Sequence, residues 1–141
     1  MTEEISLKKV KDSDIKFLYE LLLEREKQSQ ISHKKVPSWK EHVKFVKSKP
    51  YLHWYIISYG RKKVGSISLT LEHEIGIWIK KEMQQKGIGN QAMKLLIRKN
   101  PNLRYLANIN PKNKDSIKFF KKNGFKLIQY TYEITDSKKN R

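Results

Sequence analysis

The residues whose spacing carries the most chemistry in this 141-residue chain are Gln84, Gly87 and Gly89, within EIGIWIKKEMQQKGIGNQAMKLL at 74–96. A β-branched and aromatic run ends near Ile79, and an amphipathic segment begins at Ile88. A strand that turns on glycines into a helix presents backbone N–H groups at the positive end of the helix dipole, an arrangement suited to phosphate. Three phosphate-binding patterns compete for it. A Walker A loop requires Lys-Ser/Thr after its last glycine, and Asn90 stands there instead. Gly87-x-Gly89-x-x-Ala92 has the spacing of a dinucleotide fingerprint. That fingerprint needs a carboxylate about 20 residues on, where Ala107-Asn108-Ile109 offers none. The third pattern is Gln84-x-x-Gly87-x-Gly89. Cysteine is absent, which excludes thiolate and disulfide chemistry, and the four histidines show no metal-ligand spacing.

The elements that must position this turn follow from periodicity. Ile5 to Val10 reads as a strand, and Asp12-Ser13-Asp14 as the cap of a helix carrying Ile15, Leu18, Tyr19 and Leu22 inward to about Lys27. Ser38-Trp39-Lys40-Glu41 is a capping box opening a second helix that ends near Pro50. Runs at 53–59, 63–71 and 74–79 predict three antiparallel strands, the first two joined through Gly60-Arg61-Lys62. A helix from Ile88 to Lys99, a strand at 104–109, and a helix from Asn113 to Asn123-Gly124 follow. A last strand, FKLIQYTYEI, begins at Phe125. Glu74 to Ile109 is thus a βαβ unit with parallel strands, attached to antiparallel ones. The expected class is α+β: a mixed, mainly antiparallel sheet with helices on both faces, one domain over 1–135 and a polar tail over 136–141.

Lysine and arginine number 31 against 14 Asp and Glu, a formal net charge of +17. Such a field attracts nucleotide sugars, phosphorylated cofactors and nucleic acid alike. The lysines are dispersed, as on any solvated surface, so charge names no partner. No apolar run is long enough to span a bilayer, and MTEEISLKKVKD lacks the apolar core of an export signal. A cytoplasmic protein without membrane partner or metal is expected.

The Gln84-x-x-Gly87-x-Gly89 pattern, flanked by strand and helix, resembles the acyl-CoA pyrophosphate loop of the GNAT superfamily of N-acetyltransferases. The resemblance extends downstream to Asn110-Pro111-Lys112-Asn113, Asp115 to Phe120 and Asn123-Gly124-Phe125, and covers nearly the whole chain. It implies transfer of an acetyl group from acetyl-CoA to a primary amine. Gln84 and the amides of Gln85, Lys86, Gly87, Ile88, Gly89 and Asn90 would hold the pyrophosphate. Backbone groups of Ile77 and Ile79 would pair with the pantetheine amides, with an N–H nearby, around Trp78, for the oxyanion. Asn110, Asn113 and Ser116 would contact the arm from the other side.

Amines are protonated at neutral pH, so a base is needed. Glu74 is the candidate, with Glu72 projecting to the same side as an alternate residue of one strand; the competing view is that both are exposed strand-end carboxylates. The family's usual tyrosine acid is replaced by Phe120, which serves the core or packs on pantetheine. The implied acceptor is a nucleotide-linked amino sugar or other small amine, selected by the segment from Gln28 to Trp39 and by strand ends near Trp54 and Glu72. A ribosomal-protein N-terminus is the alternative, as is a non-catalytic CoA-binding or nucleic-acid-binding basic domain. The short C-terminus leaves a sheet edge that stays open or pairs with a second subunit, so a homodimer is left open.

Overall fold

A computed structural model of the chain describes residues 4–29, 36–102 and 104–136. The expected segment for acceptor choice therefore lies partly outside the described residues. Strand β1 (Ile5–Lys9) is followed by a 3₁₀ turn (Asp12–Asp14) and helices α1 (Ile15–Ser29) and α2 (Trp39–Lys47). Strands β2 (His53–Tyr59), β3 (Lys62–Leu69) and β4 (Ile75–Ile79) come next. A second 3₁₀ turn (Lys81–Met83) leads to α3 (Ile88–Lys99), and α4 (Lys114–Lys122) follows. The four strands form an antiparallel sheet in the order β1-β2-β3-β4.

The apolar pattern explains the layers. β2 reads HWYIISY with no polar alternation because both of its faces are covered. Tyr55 and Ile57 belong to a core shared with Ala92, Met93 and Leu96 of α3 and with Phe120 of α4. Ile56 points the other way, into a cluster with Ile15, Leu18 and Leu21 of α1 and Val46 of α2. Each such side chain, fully buried, is worth about 1.5–3 kcal/mol of transfer free energy. The Ser38–Glu41 capping box forms as expected. Glu41 N–H donates to Ser38 Oγ (3.1 Å) and Ser38 N–H to Glu41 Oε1 (2.8 Å). That backbone donor holds the Glu41 carboxyl below its ordinary value. Asp14 is buried, accepting from Lys11 N–H (2.8 Å) and from Lys63 Nζ (2.5 Å), which ties the start of α1 to β3.

Two expected strands are not strands here. Residues 104–109 contribute one parallel bridge, Glu74 to Leu106, in place of a paired strand. The run from Phe125 carries β-forming residues, yet residues 125–136 pair with nothing in the sheet. The physical reason is shared: a strand is stabilised by ladder bonds to a neighbour, and each run has too little of one. A further correction concerns Glu72. It lies in the turn after β3, and His73 (φ 65°) is left-handed, so Glu72 and Glu74 do not alternate along one strand. None of the described helices is long and apolar enough to cross a membrane.

β3 and β4 approach so closely that Gly65 cannot carry a side chain. A Cβ there would collide with the Trp78 carbonyl oxygen and lie 3.1 Å from Ile79 Cα. At Gly76 a Cβ would meet only the Ser68 Oγ, at 3.1 Å. Gly65→Ala is therefore expected to lower the urea midpoint by an amount equivalent to about 1–3 kcal/mol, with little change in the denaturant slope. Gly76→Ala should cost less, because a serine hydroxyl can move aside.

Candidate active site: a cleft that opens beyond a single parallel bridge

Ile75 N–H donates to the Leu106 carbonyl (2.7 Å), and Leu106 N–H donates to the His73 carbonyl (2.9 Å). These two bonds make one complete parallel rung around Glu74. The following rung would pair Asn108 N–H with Ile75 C=O and Ile77 N–H with Asn108 C=O. Among the described residues neither bond is made. The two segments therefore part company beyond Leu106, and a cleft opens toward Ile79 on one wall and Asn110 on the other.

The direction of the β4 backbone follows from its bonds. The Glu74 carbonyl accepts from Thr70 N–H (3.0 Å) and Lys80 N–H donates to Val64 C=O (2.8 Å), so even-numbered residues bond toward β3. Ile75 bonds the opposite way, and with strand periodicity so do Ile77 and Ile79. Their N–H groups face the cleft, as does Ile77 C=O. The Ile79 carbonyl is already used: it accepts from Gln84 Nε2 at 2.9 Å. Gln84, expected to hold an anion, thus spends a side-chain donor on the strand end.

At the open end of the cleft stands the N-terminus of α3. Gly87 is its N-cap, left-handed at φ 79° with nothing within 4 Å of a Cβ position. No side chain caps this helix, and the first bond of its ladder is Gln91 N–H to Gly87 C=O (3.2 Å). The N–H groups of Ile88, Gly89 and Asn90 consequently have no acceptor among the described residues, although such groups normally find one. Gln85 is also left-handed (φ 63°), a strained state for a residue with a side chain. The two glycines differ in purpose. Gly87 is needed for its backbone angle. Gly89 is needed for packing, because a Cβ there would lie 2.9 Å from the Phe119 ring of α4.

The second wall is fixed locally. Asn110 Oδ1 accepts from Lys112 N–H (2.9 Å), and Asn113 Oδ1 caps α4 by accepting from Ser116 N–H (3.1 Å). Asn90 Oδ1 accepts from Asn123 Nδ2 (2.8 Å), which also reaches the Phe119 carbonyl (2.8 Å) and so locks α3 to α4. Phe120 is buried, with its ring edge-on to Phe119 and Phe125, so of its two expected roles the core role is the one seen.

Glu74 stands at the closed end of the cleft. Its Oε2 accepts from Asn108 Nδ2 at 2.9 Å, a contact across the two walls that sequence reading missed because nothing in the spacing marks it. Along β4, Ile75, Ile77 and Ile79 point to the α3 side and Trp78 to the α1–α2 side. Glu74 shares the face of Trp78. The Trp78 indole Nε1 is buried without a hydrogen-bond partner among the described residues, an orphan donor beside the cleft. Among the described residues no cluster could hold a metal ion. A groove framed by Val46, Tyr51 and Trp54, at the β1–β2 side of the sheet, contains none of these groups.

A profile of the acetyltransferase (GNAT) domain matches residues 4–126. The chain belongs to the GNAT family. Its backbone is similar to a domain from Methanocaldococcus jannaschii, at 26% identity and a TM-score of 0.78 over 93% of this chain and 94% of that one. An acetyltransferase from Thermus thermophilus aligns at 18% identity and a TM-score of 0.76, covering 92% of each chain. RimL, a ribosomal L7/L12 α-N-protein acetyltransferase solved with coenzyme A, aligns at 22% and 0.71 over 89% of this chain and 81% of that chain. No curated protein matches significantly. This GNAT chain is an acyl-CoA-dependent N-acetyltransferase with acetyl-CoA as cosubstrate.

The different reasons for the two glycines can be separated by mutation. Gly87→Ala should cost about 1–2 kcal/mol from the left-handed backbone alone, and no second substitution should rescue it. Gly89→Ala should cost about 1–3 kcal/mol through Phe119, and Phe119→Leu in that background should recover part of the loss in a double-mutant cycle of urea melts.

Proposed function

We propose that this protein acetylates a primary amine on a small anionic molecule, such as a nucleotide-linked amino sugar, with the cleft between β4 and residues 106–110 as the acetyl-CoA site. The observation that carries the reading is the row of unspent backbone groups. Ile77 and Ile79 N–H and Ile77 C=O line the cleft, and the uncapped N–H groups of Ile88, Gly89 and Asn90 stand at its mouth. The first set suits the alternating amides of a pantetheine arm. The second suits a pyrophosphate, with the helix dipole and Lys86 adding to the attraction. Gln84 acts by squaring the end of β4 through Ile79, and Gln85 by its left-handed turn, rather than as side-chain ligands. Asn110, Asn113 and Ser116 form the rim opposite and present backbone and unused side-chain valences to the arm.

The acceptor enters from the α1–α2 face, where Glu74 and the Trp78 indole lie. A free alkyl amine with a pKa near about 10.4 is protonated at pH 7. Glu74, oriented by Asn108, accepts a proton from it, through water or directly, so that the nitrogen lone pair is available. Glu72, exposed in its turn, contributes charge at the entrance and no proton transfer. Phe120 supplies no proton, so the departing thiolate takes one from water; thiols of pKa about 8.5 leave without strong acid assistance.

The net charge of +17 favours an acceptor carrying phosphate. Likeness to RimL favours a second reading, the N-terminus of a partner protein such as a ribosomal protein. An amine panel containing both classes separates them by thiol release.

Acetyl-CoA at 100 times its dissociation constant should add about 2.7 kcal/mol, a rise of several degrees in Tm, with ATP at matched salt giving much less. Equal shifts would mean that the basic surface merely gathers anions. Glu74→Gln should lower kcat about a hundredfold and leave the KM for acetyl-CoA unchanged. An unchanged kcat would remove Glu74 from the mechanism.

A further inference from the structure

Helix α1 carries a carboxylate where its apolar face would continue. Phe17, Leu21 and Glu24 stand at i, i+4 and i+7, on one side of the helix. Phe17 and Leu21 pack in the cluster with Val46 and Ile56. Glu24, half-buried, instead reaches across to the chain that leaves β4: its Oε1 accepts from Lys81 N–H at 2.5 Å. Phe17 meets the preceding residue of that chain, with Lys80 Nζ 6.0 Å from the centre of its ring. Two residues of one helix face thus touch two consecutive residues of the link between β4 and the glycine loop.

That link needs an acceptor from outside. Lys81 N–H is the first of the 3₁₀ turn Lys81–Met83, a position without a partner inside its own turn, and the Lys80 side chain does not cap it. The bonds that follow all hang on this turn. Met83 N–H donates to Lys80 C=O (2.8 Å), Gln84 N–H to Lys81 C=O (3.2 Å), and Gln84 Nε2 returns to Ile79 C=O (2.9 Å). The left-handed Gln85 and Gly87 come directly after. A left-handed residue with a side chain persists only where its surroundings fix it. Charge by itself argues against a carboxylate here. The turn already holds Glu82, paired with Lys80 (3.5 Å) and Lys62 (3.7 Å), and one more negative group beside a loop suited to phosphate repels the anion. What the turn uses is the oxygen of Glu24 as an acceptor.

We infer that Glu24 is a positioning residue: from α1, its carboxylate oxygen holds the turn Lys81–Met83 and through it sets Gln84 and the glycine loop for acetyl-CoA. The consequence for acetyl-CoA rests on the cleft reading above; the hold on the turn does not. The effect has a sign that separates the two roles of a carboxylate. If charge alone mattered, neutralising Glu24 would tighten the binding of an anion. If the oxygen matters, binding weakens unless an acceptor stays in place.

Glu24→Met keeps the length of the side chain and its preference for helix but removes the acceptor; Glu24→Gln keeps a carbonyl oxygen and removes only the charge. In the unliganded protein, Glu24→Met should speed amide hydrogen exchange at Lys81, Met83 and Gln84 and leave the amides of β2 and β3 as in the wild type, a local pattern that loss of global stability would not give. Calorimetric titration should then show acetyl-CoA bound about tenfold more weakly. Glu24→Gln should bind it at least as tightly as the wild type. Unchanged exchange in Glu24→Met overturns the inference. So does acetyl-CoA held by Glu24→Met as tightly as by the wild type, or by Glu24→Gln as weakly as by Glu24→Met. A wild type that does not bind acetyl-CoA sinks the cleft reading instead, and faster exchange at Lys81 in Glu24→Met would still uphold the hold on the turn.

Discussion

The one constraint on which the rest depends is the rung at Glu74 and Leu106. A parallel pair of segments gains about one backbone bond per residue for as long as both follow the same course. Here they do so for a single residue, with bonds of 2.7 and 2.9 Å, and then separate. Had the ladder continued, Ile77 and Asn108 would be bonded to each other and the cleft would be sheet. Had it not begun, residues 104–110 would have no fixed distance from β4. A single rung gives a hinge with a defined angle.

Everything around that hinge serves to keep it open at one end and closed at the other. At the closed end, Thr70 Oγ1 accepts from Glu74 N–H (2.9 Å) and Asn108 reaches the Glu74 carboxylate, so side chains reinforce the rung. At the open end, Gln84 caps Ile79 C=O and turns the chain away from the sheet before it can pair further. The close contact of Gly89 with Phe119, and the Asn90–Asn123–Phe119 bonds, then set α4 against α3. The asymmetry between the walls is chemical as well as geometric. β4 is held along its length by the ladder to β3 and by Ile75 in the α3 core, whereas the opposite wall depends on caps and turns of its own sequence.

That division has a bearing on catalysis. Under the proposed function, a base on the α1–α2 face and a thioester arm along the edge of the same strand would let an amine approach from one side while the cosubstrate is held from another. The two substrates need not compete for one pocket. Phe120 is buried in the core, where its ring packs edge-on to Phe119 and Phe125.

How much of this was legible in the sequence depends on the range of the interaction concerned. The strands β1 to β4, all four helices, the capping box at Ser38 and the glycine turn are local matters of periodicity, caps and backbone angle, and their residues specify them. Gly87 could be read as a left-handed turn from its neighbours alone. The purpose of Gly89 could not, because its constraint is Phe119, thirty residues away in the chain and in contact only once α4 has docked. The same holds for Asn108 on Glu74 and for Gln84 turned onto Ile79. The runs 104–109 and 125–134 have the composition of strands, and composition is all that one chain can state about a strand. Whether it becomes one is decided by a neighbour with matching free backbone groups, and that neighbour is a property of the assembled tertiary structure.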